Sequence, residues 1–347
     1  MVELGVAYQG CMHPHHLEAD LGEIAAMGCS YINMTVNECD WFYYRKARHE
    51  LRRLARDCGL AVYLNLHGFG LFATPLPAQV YPERYPERCQ RYAHGERARL
   101  ACPNDLQYQA WLAEQLDGML DELTPDGVFW DEPHFASDGT FPHNWACRCA
   151  ACQEAYRTAY GGEMPATLTD DVVAFRQDSL LRFLDEMMTH VKHRRPEVEN
   201  VLCLMPWERR PDHASLAPGW YGVIAWEPFV ALPSLGTFST DPYWIHERTF
   251  SYFEDNAREA IALAHAAGKR CQIWVQGVWI ALGKEPEVGR TLRAAADLGA
   301  DMLAVWSFRG EPGASALDWG GDADAVWQEV KDAYAAIASA GVKSSER

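Results

Sequence analysis

This chain of 347 residues is short of positive charge: 31 Lys and Arg stand against 48 Asp and Glu, a formal net charge of −17. A surface of that sign repels phosphate backbones, which excludes nucleic acid as a partner and an anionic membrane surface with it. No apolar run approaches the length of a membrane span. The opening stretch, MVELGVAYQGCMHPHH, lacks the basic start and apolar core of a signal peptide, so none is expected. The 11 cysteines are an odd number. Without an export signal they imply a reducing, cytoplasmic compartment and mostly free, buried thiols, some of them available to metal. No linker divides the chain, and no internal repeat is visible beyond an alternation of short and long elements. Aromatics, by contrast, are plentiful, at 12% with 13 Trp. Flat rings serve a large core and also stack on ligands.

Short apolar runs alternate with amphipathic stretches from end to end. Strands are predicted at Val2–Ala7, Tyr31–Val36, Ala61–Leu66, Gly127–Trp130, Val201–Met205, Gly236–Thr240, Cys271–Val275 and Met302–Trp306, with Val223–Trp226 a rival for the sixth. Helices are predicted near His16–Met27, Tyr44–Cys58, Asp105–Leu123, Asp171–Lys192, Pro228–Leu235, Thr249–Ala267, Glu287–Leu298 and Asp324–Ala338. Eight strand-then-helix units with near-continuous apolar strands predict a (β/α)8 TIM barrel, an α/β fold, spanning 1–340 as one catalytic domain, with a frayed tail at 341–347. Long loops after the third strand (about 68–100) and the fourth would extend one face, and the first of them could close one end of a cleft.

In such a barrel the chemistry lies where strands run into the following loops. Those positions hold His13, with His15 and His16 as surface groups; Asn37, Glu38 and Asp40; Asn65 and His67; Trp130, Asp131, Glu132 and His134; Trp207 and Glu208; Asp241, Tyr243 and Trp244; Trp274, Gln276 and Trp279; and Trp306, Arg309 and Glu311. Carboxylates, amides, histidines and indoles concentrated at one end suit a sugar, whose hydroxyls need planar partners and whose apolar face packs on rings. The adjacent acids Asp131 and Glu132 end an apolar strand directly, which marks them above Asp40 or Glu311, where solvation or helix capping suffices.

Residues 144–156, NWACRCAACQEAY, carry C-x-C-x-x-C. Three thiolates at that spacing can converge on one tetrahedral zinc, which needs a fourth ligand. Cys102 precedes the helix leading into the fourth strand and can come near; His143 is its rival. With Cys147, Cys149 and Cys152 this makes a structural metal, since four protein ligands leave no position open for catalysis.

In this order of features the chain resembles the glycoside hydrolase family 42 β-galactosidases, (β/α)8 enzymes with a Cys before the fourth-strand helix and C-x-C-x-x-C after the acid/base glutamate. The likeness covers about 98–161: CPND at Cys102, an acidic strand end, then CRCAAC followed by QEAYRTAYGG. It implies that Cys102, Cys147, Cys149 and Cys152 bind one zinc and that Glu132 is the acid/base. The family has Asn-Glu where this chain has Asp131-Glu132, and a nucleophilic Glu at the end of the seventh strand, where this chain has Gln276, an amide that cannot serve. The family's additional domains also find no counterpart in a chain of this length.

The expected function is hydrolysis of a glycosidic bond, with Glu132 as acid/base and Asp241 as nucleophile or base, or with Asp131 as nucleophile and Asp241 as acid. Glu38 or Glu311 could supply the second acid instead. Alternatives stay open: substrate-assisted cleavage of a 2-acetamido sugar by Asp131 and Glu132; a metal-dependent sugar isomerase or epimerase using His67, Asp131, Glu132, His134 and Asp241; or a sugar-binding barrel without catalysis. The expected partner is a carbohydrate, with no organic cofactor, nucleic acid or membrane; self-association is left open.

Overall fold

Eight of the apolar runs lie side by side as parallel strands of a closed barrel. The computed structural model describes residues 2–9, 14–72, 80–207, 219–245, 248–310 and 321–345. His13, Glu208, Glu311 and residues 346–347 lie outside the described residues.

The barrel strands are β1 (Glu3–Tyr8), β2 (Tyr31–Val36), β3 (Ala61–Leu66), β6 (Gly127–Asp131), β7 (Glu199–Cys203), β8 (Thr237–Thr240), β9 (Arg270–Gln276) and β10 (Met302–Trp306). They pair in that order, and β10 closes onto β1 with Met302 opposite Glu3 and Val305 opposite Val6. Around them run α1 (Pro14–Ala26), α2 (Glu38–Tyr43), α3 (Arg45–Asp57), α5 (Leu106–Leu123), α6 (Ala150–Tyr160), α7 (Asp170–Arg194), α8 (Glu227–Val230), α9 (Phe250–Ala266), α10 (Pro286–Asp297) and α11 (Ala323–Ser345). Val223–Trp226 forms no strand and leads instead into α8. The last helix runs past Ala338 to Ser345.

Strand alternation divides the apolar residues into two cores. Tyr31, Tyr63, Phe129, Val201, Cys203, Trp274 and Met302 fill the barrel lumen. Val128, Trp130, Leu64 and Leu202 face outward into the larger layer under the helices. The lumen is tight: a Cβ at Gly127 would fall 2.4 Å from the Tyr63 ring. It is also polar, because Tyr31 donates to Leu303 O, Gln272 to Tyr31, and Trp274 and Ser239 to Gln272.

The stretch expected as a polar loop after β3 holds α4 (Val80–Arg84) and an antiparallel hairpin of β4 (Cys89–Arg91) and β5 (Arg97–Ala101). Its buried Gln90 donates to His134 O and accepts from Ala136 N, so the hairpin braces the loop leaving β6. Glu38, one of the alternatives for the second acid, is buried nearby, where its Oε2 accepts from Tyr81 N at 2.7 Å. Burial raises that carboxyl to about 7.

Candidate active site

A cavity of about 330 Å³ opens at the C-terminal ends of the strands. Asp131, Glu132 and Asp241 all line it. Asp131 is the last residue of β6, level with Cys203 of β7, and its carboxylate accepts a hydrogen bond from Asn65 of β3. Chain direction changes at the next residue: Glu132 N donates to Cys203 O at 3.1 Å while Glu132 adopts φ 42°. That left-handed conformation costs a residue with a Cβ about 1–3 kcal/mol, and such strain gathers where function demands a side-chain direction. Here it turns Glu132 toward Asp241, which follows β8, and the two carboxyls hydrogen-bond to each other.

Burial and crowding set the protonation of this trio. Burial pushes Glu132 well above the usual carboxylate range, and the charge of Asp241 beside it adds to the rise. Burial lifts Asp241 to about 7, with the bond from Glu132 and the Arg248 guanidinium pulling the other way. Asp131 rises to about 8 through burial and the charge of Glu132, opposed by Asn65. Burial and mutual crowding thus favour a proton held between Glu132 and Asp241.

The rest of the wall is aromatic. Trp274 meets Phe129 edge-on at 5.4 Å on the floor. Tyr243, Trp306 and Trp279 form one side, with Trp279 at 6.3 Å from Trp306. Trp220, Tyr221 and Tyr252 form another. His67 also lines the cavity, and burial lowers its pKa, leaving a neutral imidazole at neutral pH. Arg248 lies over the Tyr252 ring and donates to Tyr243 O at 2.8 Å.

Of the residues expected to bind substrate, Asn65, His67, Tyr243, Trp274 and Trp306 lie on this wall. The others do not. Asn37 caps α2, accepting from Asp40 N at 2.9 Å. Trp130 points outward and donates to Asn200 at 3.0 Å, since its neighbours Phe129 and Asp131 take the lumen side. His134 sits behind the acid, its Nδ1 at 2.7 Å from Glu132 O. Trp207 packs on Trp226, and Trp244 reaches between helices to Thr291. Gln276 spends both ends of its amide on backbone, accepting from Ile245 N at 2.9 Å and donating to Val278 O at 2.8 Å. Arg309 turns out to Glu23. With His134 turned away, the five-residue metal set of the isomerase reading does not assemble, and among the described residues only the four cysteines group as potential ligands. No described residue from 68–101 lines the cavity. Trp220, Tyr221, Arg248 and Tyr252 were not anticipated; a pair of aromatics between glycines, GWYG, was the available signal.

The ligand atoms of Cys102, Cys147, Cys149 and Cys152 lie within 4.8 Å of one another, and all four residues are buried. Metal–sulfur bonds of about 2.3 Å in a tetrahedron need sulfurs about 3.8 Å apart, so the group is of the right size. Cys102 and Cys152 approach to 3.4 Å, far beyond a disulfide bond. Arg91 N, Cys149 N and Asn104 Nδ2 donate to the sulfurs, as donors do around metal-bound thiolates. His143 is exposed and outside the group.

The fold is that of the (β/α)8 barrels found among glycoside hydrolases. A β-galactosidase from the haloarchaeon Halorubrum lacusprofundi superposes with a TM-score of 0.72 at 16% identity, over 97% of this chain and 58% of the other. A catalytic mutant of a GH42 β-galactosidase from G. stearothermophilus gives 0.70 at 15% identity, over 97% and 56%. An endo-β-1,4-mannanase from Thermotoga petrophila gives 0.65 at 10%, over 97% and 76%. The chain thus spans less than two thirds of the β-galactosidases it resembles. No family model matches it. No curated protein matches it in sequence.

Proposed function

We propose that this protein is a glycoside hydrolase acting on a carbohydrate, with Glu132 as the proton donor to the leaving oxygen and Asp241 as the second carboxylate, nucleophile or base. The observation that carries this reading is the convergence of Asp131, Glu132 and Asp241 on one aromatic-walled cavity. Glu132 is held protonated by burial and by Asp241, the state a general acid needs before reaction. Indole and phenol rings offer the apolar platforms a pyranose packs on. The hydrolase barrels that superpose on this chain support the reading.

The two acids must separate for turnover. A retaining site needs carboxyls about 5–5.5 Å apart and an inverting one about 6.5–9.5 Å, wider than a hydrogen bond allows. A sugar entering between them would break the Glu132–Asp241 bond and release Asp241 to act. A second reading needs no separation. Asp131 hydrogen-bonds to Asn65 rather than to a carboxyl, so it could orient a substrate acetamido group while Glu132 donates. We assign the metal as one structural zinc; bound, it would cross-link the loop after β6 to the segment before α5. Free buried thiols such as Cys29, Cys89, Cys203 and Cys271 fit a reducing compartment such as the cytoplasm.

The test is a screen of aryl glycosides, including 2-acetamido sugars, against wild type, Glu132→Gln and Asp241→Asn. Turnover lost in both variants supports the first mechanism. Retention by Asp241→Asn with loss in Asp131→Asn supports the substrate-assisted one. Full activity in Glu132→Gln, or no turnover of any glycoside by the wild type, contradicts the proposal.

A further inference from the structure

Arg176 of α7 is fully buried, yet no described carboxylate lies within ion-pair distance of it. Its guanidinium donates instead to three backbone carbonyls: Nε to Ala146 O at 2.6 Å, Nη1 to Gly219 O at 2.6 Å and Nη2 to Trp220 O at 2.9 Å. A guanidinium keeps its charge at any ordinary pH, and a buried charge facing only neutral acceptors is costly. The Ala146 carbonyl that it holds belongs to the residue before Cys147, which sets the guanidinium beside the four-cysteine group. Four thiolates around a divalent metal carry a net charge of about −2. The metal-loaded group is therefore the counter-ion that Arg176 otherwise lacks.

The three carbonyls belong to two different parts of the site. Ala146 directly precedes Cys147, whereas Trp220 lines the cavity and Gly219 precedes it. The cavity segment is pressed hard onto the loop after β6. Phe135 N donates to Tyr221 O at 2.9 Å, and a Cβ on Gly222, which sits at φ +97°, would fall 2.5 Å from the Phe135 ring. That ring lies 5.2 Å from the Arg176 guanidinium. One planar fork thus fastens the metal loop and the aromatic wall together.

We propose that Arg176 is a positioning residue that couples occupancy of the four-cysteine metal group to the placement of Trp220 and Tyr221 on the cavity wall. The coupling does not depend on which reaction occurs at Glu132. When the thiolates hold zinc, their charge fixes Arg176, and Arg176 fixes the carbonyls of residues 219 and 220. Without the metal the loop at Ala146 and Cys147 loses its anchor, and with it the fork loses one of its three fixed acceptors.

The test reads the wall directly, by 19F NMR of the zinc-loaded protein labelled with 5-fluorotryptophan. Trp220→Phe assigns the Trp220 signal; Trp327, on α11 and remote from the metal, is assigned in the same way and serves as the internal control. Stripping zinc with a chelator should shift or broaden the Trp220 signal and leave that of Trp327 in place. Arg176→Lys, which keeps the charge but not the three-way fork, should move the Trp220 signal in the loaded protein. It should also weaken zinc by about 10–100-fold in competition with a chromogenic chelator. An unmoved Trp220 signal on stripping overturns the coupling, and that arm needs no variant to fold. Collapse of all the tryptophan signals together also overturns it, since the metal would then hold the whole fold and not this wall.

Discussion

Glu132 and Asp241 hydrogen-bond side chain to side chain, although β7 stands between the strands that bring them together. In the proposed mechanism Glu132 keeps the shared proton and Asp241 is the charged partner, which would divide acid from base before any substrate arrives.

That division sets a pH profile. Asp241 must be ionised to act, and burial has raised it to about 7. The kcat/KM of the wild type should therefore climb as pH rises through about 7 and fall only on the alkaline side, where Glu132 loses its proton. The observed values belong to the coupled trio and not to single residues. An acid limb near the ordinary carboxylate value of about 4 is the contrary result.

Stability should move with pH as well. Asp131 is raised to about 8, so between about pH 4 and 8 the folded chain holds a proton that the unfolded chain releases. The carboxyl's penalty accordingly grows as pH rises. Asp131→Asn removes it and should gain about 1–3 kcal/mol at pH 8, several degrees in Tm, with the gain fading toward pH 4. Thermal melts of both proteins across that range decide the matter; a gain equal at both ends would remove the electrostatic cause.

The four cysteines predict a metal stoichiometry. Purified protein should carry about one zinc per chain, and Cys102→Ser or Cys149→Ser should lose most of it and melt at lower temperature. Elemental analysis with parallel melts measures both. Undiminished zinc in either variant would show that the metal is held elsewhere.

Two amides at strand ends have structural duties, and their variants should show it. Asn37→Ala removes a helix cap and should cost about 1 kcal/mol with little change in kcat. Gln276→Glu should supply no nucleophile, because both ends of the side chain are bound to backbone away from the cavity. It forfeits the bond to Val278 O and should destabilise by about 1–3 kcal/mol. Urea melts and steady-state rates test both; faster turnover in Gln276→Glu is the result that speaks against this placement.

The barrel was legible because each strand is a short apolar run bounded by an amphipathic helix, a pattern that few folds produce. Asp131, Glu132 and the cysteines were legible because strand ends and ligand spacing are local. Trp130 faces the outer layer for a reason its neighbour carries: side chains alternate along a strand, so a Trp beside an inward Asp131 faces out. Gln276 and Trp244 needed the folded loops to show whose partners they are. The hairpin of β4 and β5 was hidden by composition, since Pro, Glu and Ala around it are depleted in strands; helix α6, AACQEAYRTAY, is rich in strong helix formers and was legible, but it lies inside the cysteine motif. Trp220 lines the cavity while its carbonyl and that of Gly219 accept from Arg176, 43 residues before Gly219. No local pattern reports a contact of that range.

The proton-donor role of Glu132 is tested most directly by comparing Glu132→Gln with wild type on two aryl glycosides of the same sugar, one with a poor leaving group and one activated, such as a dinitrophenyl glycoside. A poor leaving group needs the proton and an activated one does not. The account predicts that kcat/KM falls by about 10²–10⁴-fold on the first and changes far less on the second. Equal losses on both, or no loss on the first, would contradict it.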